Sequence, residues 1–255
     1  MKRLLLIPLV FFLACEDKKN DTLPLDCAGV EGGDSPDTDN DGICDWNDGD
    51  SYETVMIGEQ EWMAKNLSVT HYRNGDAIPN VTNNDNWVSL TTGAYCNFNN
   101  KTNNSNIFGK LYNWYAVNDS RNIAPDGWHV PTDDEIKELE IYLGMSPEEA
   151  DNTGHRGTNE GSKLAGWSNL WAGIELSILT EDSEFGVSGF NAVPSGFRFS
   201  GDGFYYDMTD FTGFWSSTEY SSSKAWYRSL SYDLSGVFRS DYSKNYGFSI
   251  RCLKD

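Results

Sequence analysis

An α+β fold is predicted, with two or three short helices followed by a C-terminal antiparallel sheet and preceded by a flexible acidic tether. Three observations predict it. Capping and stop signals for helices gather between residues 109 and 149, in the middle of the chain. The last third breaks into short alternating apolar and polar runs at roughly ten-residue spacing, the pattern of an antiparallel meander. Residues 16–53 carry thirteen acidic side chains against Lys18 and Lys19 and few apolar ones, too little to build a core. The whole chain has 255 residues, 39 acidic and 19 basic, for a formal net charge of −20. At 38% hydrophobic and 14% aromatic it has ample material for one or two cores. Nucleic acid and anionic headgroups are excluded as principal partners, because binding phosphate needs a basic field.

Taken in order, residues 1–14 (MKRLLLIPLVFFLA) join two basic residues to a short apolar run. Eleven apolar residues span about half of a roughly 30 Å hydrocarbon core, so this reads as a secretory signal rather than a membrane span. It is followed at once by Cys15 and then by Glu16 and Asp17. The FLAC junction resembles the bacterial lipoprotein signal, and the acidic residues after it resemble the surface-export signal of Bacteroidetes lipoproteins. That resemblance implies lipidation at Cys15 and an outer-membrane, surface-exposed address, with the lipid as the only membrane attachment. The other cysteines are Cys27, Cys44, Cys96 and Cys252. In an exported protein these four can pair, and of the three pairings Cys27–Cys44 with Cys96–Cys252 is expected, each within its own region. No CxxC spacing supports a zinc or redox site.

The linker spans residues 15–51 and contains Asp37-Thr-Asp39-Asn-Asp41-Gly42-Ile43-Cys44-Asp45-Trp46-Asn47-Asp48. A hard dication takes six to eight oxygens, and alternate positions of a tight turn converge on one point. Carboxylates at Asp37, Asp39, Asp41, Asp45 and Asp48, with the Ile43 carbonyl, give that pattern, so a structural Ca²⁺ is expected at residues 37–48. No helical periodicity flanks the loop, which resembles a single thrombospondin type 3 repeat.

The globular part is expected over residues 52–255. Thr54–Leu67 reads as a hairpin turning at Gly58-Glu59, and residues 71–106 as long loop with one strand-like piece at Tyr95–Phe98. Gly109–Val117 is a helix candidate. Thr132 and Glu135 form a capping box for a helix whose stripe is Ile136, Leu139, Tyr142 and Leu143, stopped by Gly144. Ser146-Pro147 opens another, and residues 151–161 return to loop. Strands are expected at Phe190–Val193, Phe197–Phe199, Phe204–Tyr206, Phe214–Ser217, Ala225–Leu230, Val237–Arg239 and Tyr246–Leu253.

Several separated motifs share one likeness. They are Ile57–Leu67 (IGEQEWMAKNL), Gly109–Val117 (GKLYNWYAV), Gly127–Thr132 (GWHVPT), Gly189–Arg198 (GFNAVPSGFR), Phe214–Glu219 (FWSSTE), Ala225–Leu230 (AWYRSL) and Gly247–Cys252 (GFSIRC). Together they resemble the Fibrobacter succinogenes major paralogous domain. The resemblance implies a C-type lectin-like fold, in the group that includes the formylglycine-generating enzymes, on a bacterial surface or secreted protein.

Catalytic constellations are absent from the sequence. No GxSxG, HExxH or P-loop occurs, and His71, His129 and His155 are widely separated. Ser221-Ser-Ser-Lys224 matches SxxK but falls in an expected loop. The lectin-like likeness brings two tests. The paired cysteines that bind copper in formylglycine-generating enzymes have no counterpart, and Ile78-Pro79-Asn80 lacks the acid or amide of a lectin calcium site. Trp167, Trp171, Trp215 and Trp226 could stack sugars or simply pack the core. The expected function is therefore binding, of a glycan, matrix polymer or surface protein held by loops of the C-terminal sheet. An enzyme with an unrecognised site and a purely structural component stand as alternatives.

Overall fold

The computed structural model describes residues 52–171 and 177–255. The expected lipidation site Cys15, the cysteines Cys27 and Cys44 and the expected calcium loop with Asp37, Asp39, Asp41, Ile43, Asp45 and Asp48 lie outside the described residues.

The expected hairpin forms from β1 (Thr54–Ile57) and β2 (Gln60–Met63), turning through Gly58 at φ +64°. The stretch expected to be loop contains α1 (Asn84–Val88) and α2 (Thr102–Phe108), and the strand-like piece expected at Tyr95–Phe98 forms the short β3 (Tyr95–Cys96). Asn83 caps α1 by accepting from the Asn86 N–H, a local signal passed over in an Asn-rich stretch. The segment expected to be one helix divides into β4 (Leu111–Tyr112) and α3 (Trp114–Val117). The divider is Asn113, whose side chain accepts from the Ala116 N–H and so starts a helix where one was thought to be under way.

Next come β5 (Trp128–His129), α4 (Asp133–Tyr142) and α5 (Pro147–Asp151). The capping box of Thr132 and Glu135 is present, but Tyr142 leaves the apolar stripe and lies exposed over the Gly58 turn. Residues 151–161 are not all loop, since β6 (Gly154–Arg156) and the start of α6 (Glu160–Leu164) fall there; α7 (Ile178–Glu181) follows.

The last third holds β7 (Ser195–Arg198), β8 (Tyr205–Met208), β9 (Phe211–Ser221), β10 (Lys224–Ser231), β11 (Val237–Ser243) and β12 (Leu253–Lys254). Residues 190–193 form no strand, and the run 246–253 contributes only single bridges before β12. The architecture is α+β and mostly sheet. A six-stranded sheet runs β6-β11-β10-β9-β7-β8, a four-stranded one β1-β2-β12-β5, and β3 pairs β4. The β9-β10-β11 meander is antiparallel, whereas β7 meets β9 in parallel at Gly196 and Thr212. Helix α4 packs on one face of the meander, with Ile136 and Leu139 in a core that includes Phe214 and Leu230.

The Cys96–Cys252 pairing is corrected. Both thiols are free and buried, Cys96 beside Trp87 and Leu111, Cys252 in the core of Trp114 and Trp215. Burial pushes them up to about 11 and about 12, so they pack as small apolar groups and are inert.

Candidate functional site

Alternation along β9–β11 sends successive side chains to opposite faces. On β10, Arg228 and Leu230 go under α4, while Tyr227, Ser229 and Ser231 go to the other side, which α4 leaves open.

The α4 side is closed by charge. Glu140, fully buried, accepts from Arg156 at 2.7 and 3.0 Å and from Arg228 Nε at 2.8 Å. Asp133 accepts from Arg228 at 2.7 Å and from Arg239 at 2.7 and 3.1 Å. Burial by itself would raise the Asp133 carboxyl, but the Arg239 and Arg228 guanidiniums outweigh it and hold it at about 2. Every charge here is spent on a protein partner, so the cluster is scaffold.

The open side is aromatic. The Phe248 ring lies over Tyr227 at 4.9 Å and 8° and under Tyr246 at 5.2 Å and 19°. Gly213 permits this, because a Cβ there would come within 2.5 Å of the Phe248 ring. Tyr242 stands edge-on to Tyr227 at 4.6 Å, and Phe197 stacks on Tyr206 at 5.7 Å. These rings, with Phe199 and Phe211, line a cleft of about 390 Å³ whose single charged liner is Asp207. A second hollow of about 270 Å³ shares Phe211, Tyr227 and Tyr242 and adds His155, Ser229, Ser231 and Asp233. The two adjoin at these shared rings and together form a groove of small-ligand size, aromatic at one end and polar at the other.

The β8–β9 turn shapes its rim. Asp207 and Thr209 have φ of +55° and +77°, a region costly for a β-branched residue. The Asp207 carboxylate has no ion pair or hydrogen bond among the described residues. Burial, followed by the charge of Asp210, raises its pKa.

A second groove, of about 490 Å³, lies beside Tyr52, Lys65, Asn66, Ile107 and Trp167. Trp167 is 62% exposed at φ +55°. Of the four tryptophans singled out in the sequence, Trp171 and Trp215 are core, and Trp226 is covered by Arg239 at 3.8 Å. Only Trp167 among them offers a free face.

His129 and the SxxK match serve the fold, as do two buried arginines. His129 bridges Asp255 at 2.7 Å and Glu135 at 3.0 Å, fastening β5 to α4 and to the chain end. Lys224 ends the β9–β10 hairpin and pairs Asp241 at 2.7 Å, so Ser221 has no lysine base. Arg198 is sandwiched between Trp87 and Tyr205 at 4.4 and 4.9 Å and donates to the Gly203 carbonyl. Arg251 is buried against Phe190 and donates to Asn66 and the Met63 carbonyl, and burial lowers its pKa to about 9. The groove residues themselves escaped sequence reading. Their signal was the aromatic at alternate positions of neighbouring segments, Phe197 with Phe199 and Tyr246 with Phe248, which looks the same for a buried face and an open one.

Among the described residues no group of three or more His, Cys, Asp or Glu could hold a metal, and no helix is long and apolar enough to cross a membrane. A family model described as the Fibrobacter succinogenes major domain matches residues 55–254. No curated protein and no solved structure gives a match.

Proposed function

Since the chain belongs to the Fibrobacter succinogenes major domain family, we propose that it is a lipid-anchored bacterial surface protein whose domain binds a saccharide chain in the aromatic groove. Cys15 carries the lipid, the acidic linker is a tether stiffened by Ca²⁺ at Asp37, Asp39, Asp41, Ile43, Asp45 and Asp48, and the domain has a C-type lectin-like architecture.

The observation that carries the binding role is the pair of adjoining hollows on one sheet face, which share Phe211, Tyr227 and Tyr242. A pyranose presents C–H faces, which rest on aromatic rings, and a rim of hydroxyls, which need donors and acceptors on leaving water. Phe197, Phe211 and Tyr246 supply rings at one end of the groove. Ser229, Ser231 and Asp233 supply hydrogen-bonding groups at the other. An extended ligand can therefore lie with one unit on rings and the next on hydroxyls. The sheet and the Phe248 stack preorganise the platform, so little ordering entropy is spent on binding.

The test is binding of the full chain to a panel of immobilised oligosaccharides, with Tyr246→Ala and Phe211→Ala as variants. Binding to at least one glycan class that falls about tenfold in both variants, each still folded at the assay temperature by circular dichroism, is the expected result. Absence of binding across the panel, or binding indifferent to both substitutions, overturns the assignment of the groove.

A further inference from the structure

Resting on the saccharide reading, the geometry points to a more specific ligand: the sugar unit seated over Phe197 and Tyr206 carries a free ammonium group, so the groove prefers a polymer of unsubstituted amino sugars over a neutral one.

Four observations lead there. The aromatic end of the groove has one charged liner, Asp207, and no Lys, Arg or His. That carboxylate has no counter-ion among the described residues, although ion pairs are made readily elsewhere in the domain. The second observation is a contrast within the molecule. Other ring clusters carry a side-chain cation of their own: Arg198 over Trp87 and Tyr205, Arg239 over Trp226, Arg251 over Phe190 and Lys244 over Trp114. Among the described residues no cation lies over Phe197, Tyr206, Phe211 or Tyr246, the largest ring cluster in the domain. An ammonium centred within about 6 Å of a ring face is attracted by the ring quadrupole, more strongly once water is displaced.

The third observation is the field. Residues 54–255 hold 26 acidic against 15 basic side chains, and the groove's polar end adds Asp233, so a cationic chain is steered toward the site. The fourth is placement. Asp207 sits near the end of β8 at φ +55°, a conformation aspartate adopts and most other residues avoid, and it turns the carboxylate into the lining of the aromatic hollow. Its carboxyl is raised by burial and by Asp210, a penalty that a neighbouring ammonium would relieve.

Calorimetry of the full chain with three oligomers of equal length tests this: a glucosamine hexamer, its fully N-acetylated form and a glucose hexamer of the same linkage. The glucosamine oligomer is expected to bind at least about tenfold tighter than either neutral one. Asp207→Asn should bring the three within about twofold, while Glu148→Gln, an exposed acid on the far helix α5, should leave the preference intact. Equal affinities for the three oligomers would overturn the amine preference and leave the saccharide reading standing. No binding by any of them overturns the amine preference, and the saccharide reading then stands or falls on the wider glycan panel. A lysine hexamer that binds as tightly as the glucosamine oligomer, or a preference lost equally in Glu148→Gln, would mean general attraction of polycations and would overturn the assigned subsite.

Discussion

Tyr227 and Arg228 are neighbours on β10, yet their side chains enter environments with opposite logic. Arg228 goes under α4, where three arginines meet Asp133 and Glu140 and each carboxylate oxygen has a donor within 3.1 Å. Tyr227 goes to the open side, where rings stack on rings and the one carboxylate, Asp207, has no partner. The difference teaches where to look for function. A buried charge that is answered by its own chain serves the fold, and such clusters add little net stability as wholes but are costly to break. An unanswered carboxylate beside open rings makes no such contribution to the fold, which is why the proposed ligand is placed there.

The largest expected effect breaks the closed side. Glu140→Gln leaves Arg156 and Arg228 buried with one carboxylate fewer between them, and should cost about 3–5 kcal/mol in denaturant melts. A loss under about 1 kcal/mol would mean that water or rearrangement answers the guanidiniums, and the two faces would no longer differ in kind.

Acid should act on the closed side next. Asp133 titrates near 2 in the folded chain against an ordinary 3.8. A depressed folded pKa contributes stability that is complete above the unfolded value and is lost as pH falls through the folded one. The contribution is on the order of 2 kcal/mol, present at pH 5 and draining away between about pH 4 and pH 2. Asp133→Asn should flatten that slope while lowering stability at neutral pH. An unchanged slope would place the acid-sensitive groups elsewhere.

Much of this contrast was legible beforehand, and its limits are physical. Thr132 with Glu135, Gly58 and the alternation of Ala225–Leu230 act through near neighbours, so helix α4, the first hairpin and the meander could be read directly. Asn83 and Asn113 also act locally, but an asparagine caps, turns or loops with similar ease; for that reason α1 was missed and the start of α3 was placed too early. The partners of Arg228 lie 88 and 95 residues away, and nothing in spacing announces them. Cys96 and Cys252 looked like a pair because an even count permits one; the fold puts them in different cores. The groove was the least legible part. Period-two aromatics state that a face is apolar, and only the assembled layers say which apolar face is left open.

Gly213 joins the two sides of the comparison, since it belongs to the scaffold and shapes the groove. Gly213→Ala puts a methyl within 2.5 Å of Phe248, which cannot retreat far between Tyr227 and Tyr246. A loss of about 1–2 kcal/mol is expected, with altered near-ultraviolet circular dichroism from the displaced ring stack. Unaltered aromatic dichroism would show that Phe248 is free to move and that the platform is less rigid than its geometry implies.

The sharpest form of the comparison repeats one chemical change on the other face, where the expected effect is smallest. Asp207→Asn removes a carboxylate just as Glu140→Gln does. Here the carboxylate makes no hydrogen bond or ion pair among the described residues, and its charge is opposed by burial and by Asp210. Asparagine tolerates φ +55° as well as aspartate does, so the turn need not move. Stability should therefore stay within about 0.5 kcal/mol or rise slightly at neutral pH, while the preference for an ammonium-bearing ligand disappears. A clear loss of stability would show that Asp207 serves the fold after all. The open face would then differ from the closed one in shape and not in purpose.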